Sequence, residues 1–280
     1  MMTRPHPASA SRLHPLALAF AAMLLALPNA RAASQDESPW PDIRASLYES
    51  GRTIQEAGGI IELEAPDRAL DAATVPVTIK ADIEQTKDRY IKSITLVIDQ
   101  NPAPVVGTFH LSPANGIASI STRVRVNAYT NIRAIAELND GTLHMAKKYV
   151  KASGGCSAPA TKDADVAMAR LGKMKLKQIG TWRKNEPSEA QFMVSHPNYS
   201  GMQINQLTQL WIPARYVRSI DLTLGDRPIL KFEGDISMSE NPSIRFFVKP
   251  EAGDVLHAKV TDSDGATFEQ DWPIELGSAS

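Results

Sequence analysis

Cys156 is the only cysteine of the chain and follows directly on Gly154-Gly155. Glycines remove side-chain bulk and leave backbone torsions free, so a narrow channel can admit such a segment and the thiol can reach inward. That suits a thiol carried into the active sites of other proteins. On spacing alone a second reading stays open, in which Gly154-Gly155 ends a strand and Cys156 is incidental. Lys147, Lys148 and Lys151 upstream would modestly favour a thiolate or an anionic adduct, with salt screening the effect. A cysteine hydrolase would need a histidine close in space, and His196 is the nearest one downstream. Such nucleophiles sit at rigid helix N-termini, and a run of small residues resists that preorganisation. His110, His144, His196 and His257 are scattered, none within five residues of another or of Cys156, so no zinc or copper ligand set is spelled out. Neither a metal nor a cofactor is expected, and no catalytic acid or base is assigned.

The elements that position this segment read as strands. Ile60 to Leu63, Val75 to Ile79, Ile91 to Ile98, Val105 to Leu111, Ile117 to Val126, Ile132 to Leu138 and His144 to Val150 are short runs rich in Val, Ile and Thr. Turn sequences such as Asp99-Gln100-Asn101-Pro102 separate them. Polar and apolar residues change sides at each step from Ser121 to Val126. A second series runs from Met174 to Ile179, Ala190 to Val194, Tyr216 to Leu224, Ile229 to Phe232, Ser243 to Val248, Val255 to Thr261 and Thr267 to Leu276. Tyr90-Ile91-Lys92-Ser93-Ile94 reads against Tyr216-Val217-Arg218-Ser219-Ile220, and the hairpin signals Asp140-Gly141 and Asp264-Gly265 fall at matching places. The expected fold is all-β: two related immunoglobulin-like β-sandwich domains in tandem. Short helices are expected at the N-terminus, where Ser38-Pro39 caps a turn carrying Trp40, Ile43 and Leu47, and in the linker, from Asp163 to Gly172. The stretch from Lys151 to Lys162 has the composition of a flexible connection.

Arg4 and Arg12 precede an apolar run from Leu16 to Leu27, and Ala30-Arg31-Ala32 comes after it, the pattern of a secretory signal peptide. The run is too short to cross the roughly 30 Å hydrocarbon layer of a bilayer as a helix. The expected organisation is a signal peptide over 1–32, a first sandwich over 33–152, a linker with a short helix over 153–172, and a second sandwich over 173–280. Cleavage would send the protein to a bacterial periplasm with no membrane attachment. Its 280 residues, 43% hydrophobic, are enough for a large core. With 30 bases against 31 acids and 6% aromatic residues, neither a phosphate-binding footprint nor a base-stacking surface is present, so nucleic acid is not an expected partner.

Gly154-Gly155-Cys156 after a terminal strand resembles the C-terminal Gly-Gly-Cys-Gly-Gly arm of SoxY, the sulfur-carrier subunit of bacterial thiosulfate oxidation. Leu63-Glu64-Ala65-Pro66, Asp71 to Val77 and Ile94 to Pro102 are similar to the SoxY immunoglobulin-like domain. Val194-Ser195-His196-Pro197, Ile212-Pro213 and Ile236 to Pro242 with Phe246-Phe247-Val248 beyond them are similar to SoxZ, its partner. The order resembles the fused SoxYZ-like carriers associated with quinoprotein dehydrogenases. The resemblance implies a carrier without catalysis of its own. Cys156 would be the covalent attachment site for sulfur intermediates, and Gly154 and Gly155 would be the clearance and swivel of a carrier arm. The second domain would support the first and help dock periplasmic sulfur-oxidation enzymes or a quinoprotein dehydrogenase system, with the two domains packed on each other. The alternative is a non-covalent accessory or docking module for such a dehydrogenase. Ser157 and Ala158 stand where the carrier arm has glycines, and Pro159 stiffens the backbone beyond them. The chain also continues past this point, so the arm would have to enter a partner as a hairpin.

Overall fold

Runs of β-branched residues form strands where the sequence places them. The computed structural model describes residues 1–3, 36–159 and 164–277. Apart from its first three residues the expected signal peptide lies outside the described residues, as does Asp163, the expected cap of the linker helix. A helix α1 (Trp40–Leu47) precedes β1 (Ile54–Glu56), β2 (Ile61–Glu64), β3 (Val75–Ala81), β4 (Ile91–Ile98), β5 (Val105–Leu111), β6 (Ile120–Val124), β7 (Thr130–Leu138) and β8 (Leu143–Val150). After α2 (Ala164–Met168) come β9 (Met174–Ile179), β10 (Ser188–Val194), β11 (Val217–Leu224), β12 (Arg227–Gly234), β13 (Ser243–Val248), β14 (Val255–Asp262) and β15 (Thr267–Pro273). The all-β class holds, and Asp140-Gly141 and Asp264-Gly265 turn the β7–β8 and β14–β15 hairpins. β1 is not marked in the sequence; it is three residues long and pairs in parallel with β8.

The two halves are joined edge to edge. One sheet runs β1-β8-β7-β4-β5-β12-β11-β14-β15 and the other β2-β3-β6-β13-β10-β9. In the larger sheet β5 pairs antiparallel with β12, Phe109 opposite Phe232 and Gly107 opposite Gly234. In the smaller sheet β6 meets β13 at Ser121 and Arg245. Each strand turns alternate residues inward, as β3 does with Val75, Val77 and Ile79. The inward faces of both halves make one continuous apolar core, so Ile94 and Phe109 of the first half belong with Ile220 and Phe232 of the second. The described residues from Asp36 onward form a single compact unit.

Phe232 anchors this seam. Its ring lies 4.8 Å from that of Phe109, and it crosses Gly107 and Gly234, where any Cβ would collide with it. Phe232→Ala should therefore cost about 3–5 kcal/mol in urea unfolding. A loss below about 1 kcal/mol would show that the halves hold together without it.

On the outer face of the larger sheet, α1 seats Ile43 on Val97, Ile135 and Leu143, with Trp40 and Leu47 packed alongside as expected. Pro39 rather than Ser38 occupies the N-cap, and no side chain among the described residues caps the helix. The Ser38 N–H instead donates to the Asp36 carboxylate, which draws that residue into the preceding turn.

Candidate functional site

Beyond Val150 the chain does not loosen. Lys151 N–H donates to the Asp67 carbonyl, Gly154 N–H to Asn127 and Gly155 N–H to Val126. The described part of the segment expected to be a flexible linker is thus bound along the end of the first half. Gly154 has φ +78°, a left-handed conformation that a side chain would strain, with open space around its missing Cβ. Gly155 serves differently: a Cβ there would lie 2.1 Å from the Ala72 carbonyl oxygen and 2.7 Å from that of Val126. One glycine makes the turn and the other lets two backbones touch.

Cys156 is completely buried. Its carbonyl accepts a hydrogen bond from the Ser200 hydroxyl, and the Ala158 carbonyl accepts one from Gln203 Nε2 at 2.8 Å. Arg125, 1% exposed, donates from one nitrogen to the Gly155 carbonyl at 3.1 Å and from another to the Asn198 carbonyl at 3.3 Å. Residues of the first half hold the arm from one side and Asn198, Ser200 and Gln203 of the second half from the other. On the same side of the alternation from Ser121 to Val126, Arg123 is exposed and Arg125 is buried, because the second half covers Arg125.

The carbonyl groups of this junction are bound in a polar layer. Asn101 Nδ2 donates to the Arg125 carbonyl and to the Ser237 hydroxyl, which itself donates to the Ala103 carbonyl. Ser239 donates to the Ala73 carbonyl, and Asn198 Nδ2 donates to the Ser239 carbonyl. Each of these groups would be costly to bury unpaired. Sequence reasoning missed Arg125, Asn198, Ser200 and Gln203. The polar run from Ser195 to Gln206 between two strands was the available signal, and it reads equally well as a surface loop.

Electrostatics keep the thiol neutral. Burial pushes the Cys156 pKa from 9.0 up to about 11, with the Arg125 guanidinium pulling the other way. Arg125 is the cation that acts on Cys156, in place of the upstream lysines: Lys147 pairs with Glu37 and Lys148 with Asp67. Arg125 has no carboxylate in ion-pair range among the described residues, and its Nε lacks a hydrogen-bond partner there. Burial lowers its pKa, and a charge on Cys156 would raise it. The buried pair is therefore one cation beside one neutral acid, and thiolate formation would balance it.

This predicts an alkaline weakness. The unfolded thiol loses its proton near pH 9 and the folded one near 11, so the unfolded chain binds fewer protons between them. The contribution is complete below pH 9 and is lost as the pH rises through 11, reaching about 3 kcal/mol. Urea unfolding at several pH values should show this fall in the wild type and not in Cys156→Ala. Parallel curves would contradict it.

His196 is not a base for the thiol. It is buried, its Nδ1 accepts from the Asn198 N–H at 3.0 Å, and its Nε2 faces the Asp262 carboxylate at 3.6 Å. Burial lowers its pKa, and Asp262 opposes that shift. Among the described residues the sulfur of Cys156 makes no hydrogen bond, to His196 or to any other group. His110 and His257 pair with Glu233 and Asp271 on the surface. No three His, Cys, Asp or Glu side chains gather as a metal site among the described residues.

Two family models match successive parts of the chain. The family described as sulfur oxidation protein SoxY matches residues 44–156, ending on Cys156, and the family described as sulphur oxidation protein SoxZ matches residues 177–273. Among solved structures, the sulfur carrier protein SoxY from Chlorobium limicola f thiosulfatophilum is 28% identical, with a TM-score of 0.35 over 41% of this chain and 92% of that one. A superoxide reductase (neelaredoxin) from Ignicoccus hospitalis is 18% identical, with a TM-score of 0.31 over 34% of this chain and 81% of that one. A search of curated proteins finds no match. The chain is a fused SoxYZ protein, a SoxY domain followed by a SoxZ domain.

Proposed function

We propose that this protein is a periplasmic carrier that binds sulfur compounds covalently on Cys156 and presents them to partner enzymes of sulfur oxidation. The observation that carries the reading is the placement of Cys156. It is the last residue of the SoxY match, it sits beyond the Gly154 turn, and it is held by a few hydrogen bonds from two sides. Loading joins the thiol sulfur to a sulfane sulfur in a new S–S bond. The thiol proton leaves, and two electrons pass to an electron-accepting partner enzyme. No group of this chain is assigned a catalytic role.

The arm is stowed in the structure, so loading and presentation require it to undock. Releasing it breaks the bonds from Arg125, Ser200 and Gln203 and that from Gly155 N–H to Val126, each with a net worth of about 1 kcal/mol. Openings of this size are accessible to native proteins. The undocked thiol regains an ordinary pKa, so stowage shields it from oxidants and release arms it. Export rests on the leader over residues 1–32.

The second reading, a non-covalent docking module for a periplasmic quinoprotein dehydrogenase, has the complete burial of Cys156 in its favour. The two separate on intact-mass analysis of protein from native periplasm. A carrier bears sulfur adducts that Cys156→Ser lacks, and a docking module bears none in either form.

A further inference from the structure

A cleft opens beside the seam of the smaller sheet, with a volume of about 420 Å³. Three parts of the chain bring cations to it: Arg123 from β6, Arg170 from the turn after α2, and Lys173 and Lys175 from the start of β9. Glu240 is the single carboxylate in its lining among the described residues. None of the four cations has an ion-pair partner among the described residues, whereas Arg245 on the neighbouring β13, and Lys231 and Lys259 in the larger sheet, are each paired with a glutamate. Beneath the charges the cleft is apolar. Strand register sets Lys175 opposite Met193 on one face and Met174 opposite Val194 on the face packed against the core, so Met193, with Ala167 and Pro197, gives the cleft apolar lining beside the cations. Methionine side chains adapt to ligands of varied shape.

We propose that this cleft binds a small sulfonate with an apolar body. The rim supplies positive charge from several directions, and a sulfonate offers three oxygens to it where a carboxylate offers two. The apolar lining has use only for a ligand with a carbon body, which sulfate and thiosulfate lack. The choice of a sulfur anion rests on the carrier reading above, while the cleft itself is independent of Cys156. Pro197 lines the cleft and is followed by Asn198, whose carbonyl takes Arg125, so the cleft shares a wall with the clamp on the arm.

The test is calorimetric titration of the full chain with hexanesulfonate at low salt, using the Cys156→Ser protein so that no adduct forms. Saturable binding with a Kd of about 1 mM is expected, a value ordinary for a ligand of this size. Hexanoate and sulfate should each bind at least about tenfold more weakly. Arg170→Gln combined with Lys173→Gln, whose exposed side chains make no hydrogen bond or ion pair among the described residues, should weaken hexanesulfonate about tenfold. Absence of saturation, equal affinity for hexanoate, or indifference to the double substitution would each overturn the proposal. The carrier reading would be untouched by that failure, because it is read from adducts on the wild-type cysteine.

Discussion

Gly155→Val is expected to make Cys156 react with a maleimide about a hundredfold faster at pH 8. The groups a side chain at 155 would strike are the backbone carbonyls of Ala72 and Val126, at 2.1 and 2.7 Å from the first carbon alone. Neither can swing away as the end of a long side chain would, and Val126 N–H is itself bonded to the Ala72 carbonyl. The arm must leave instead. Leaving removes the burial that holds the thiol near 11, and a return to 9.0 raises the thiolate fraction at pH 8 about a hundredfold. Access to water adds to the effect. Gly154→Ala is the comparison: it strains a left-handed turn by about 1–2 kcal/mol but meets nothing in space, so its rate should rise less. Equal rates in wild type and Gly155→Val would show that the arm is not held in this position.

The second large effect is all or none. Cys156→Ser is expected to abolish sulfur loading and, in cells, the sulfur oxidation that depends on this protein. A hydroxyl cannot take part in an S–S bond, and no second cysteine exists to replace it. The thiol sulfur makes no hydrogen bond among the described residues, so a buried serine hydroxyl gains no ready partner and costs about 1–3 kcal/mol if it finds none. Cys156→Ala, which buries no polar group, separates that cost from the chemistry and should be equally inactive while remaining folded. A docking module would keep its cellular function in both variants.

Much of the fold is legible in the sequence because its strands announce themselves locally. Ile91 to Ile98 and Ser243 to Val248 are bounded by turn residues and coincide with β4 and β13. The seam is not legible, since pairing Phe109 with Phe232 depends on contact across more than a hundred residues and nothing local marks an edge strand for a particular partner. Arg125 shows the same limit in one side chain. Its alternation with Val124 and Val126 correctly gives its face of the strand, but only the arrival of Asn198 and the arm turns that face into an interior. The Gly-Gly-Cys segment reads as loose for a related reason. Small residues permit flexibility and close packing alike, and the carbonyls of Ala72 and Val126 decide between them.

The most direct test of a carrier built around Cys156 is the intact mass of the protein isolated from native periplasm, before and after treatment with a reductant. A mixture of masses heavier than the free chain by sulfur-containing increments, localised to the peptide carrying Cys156 and removed by reduction, is the predicted result. A wild-type chain found only with a free thiol, during active sulfur oxidation and in the presence of its partner enzymes, would contradict it.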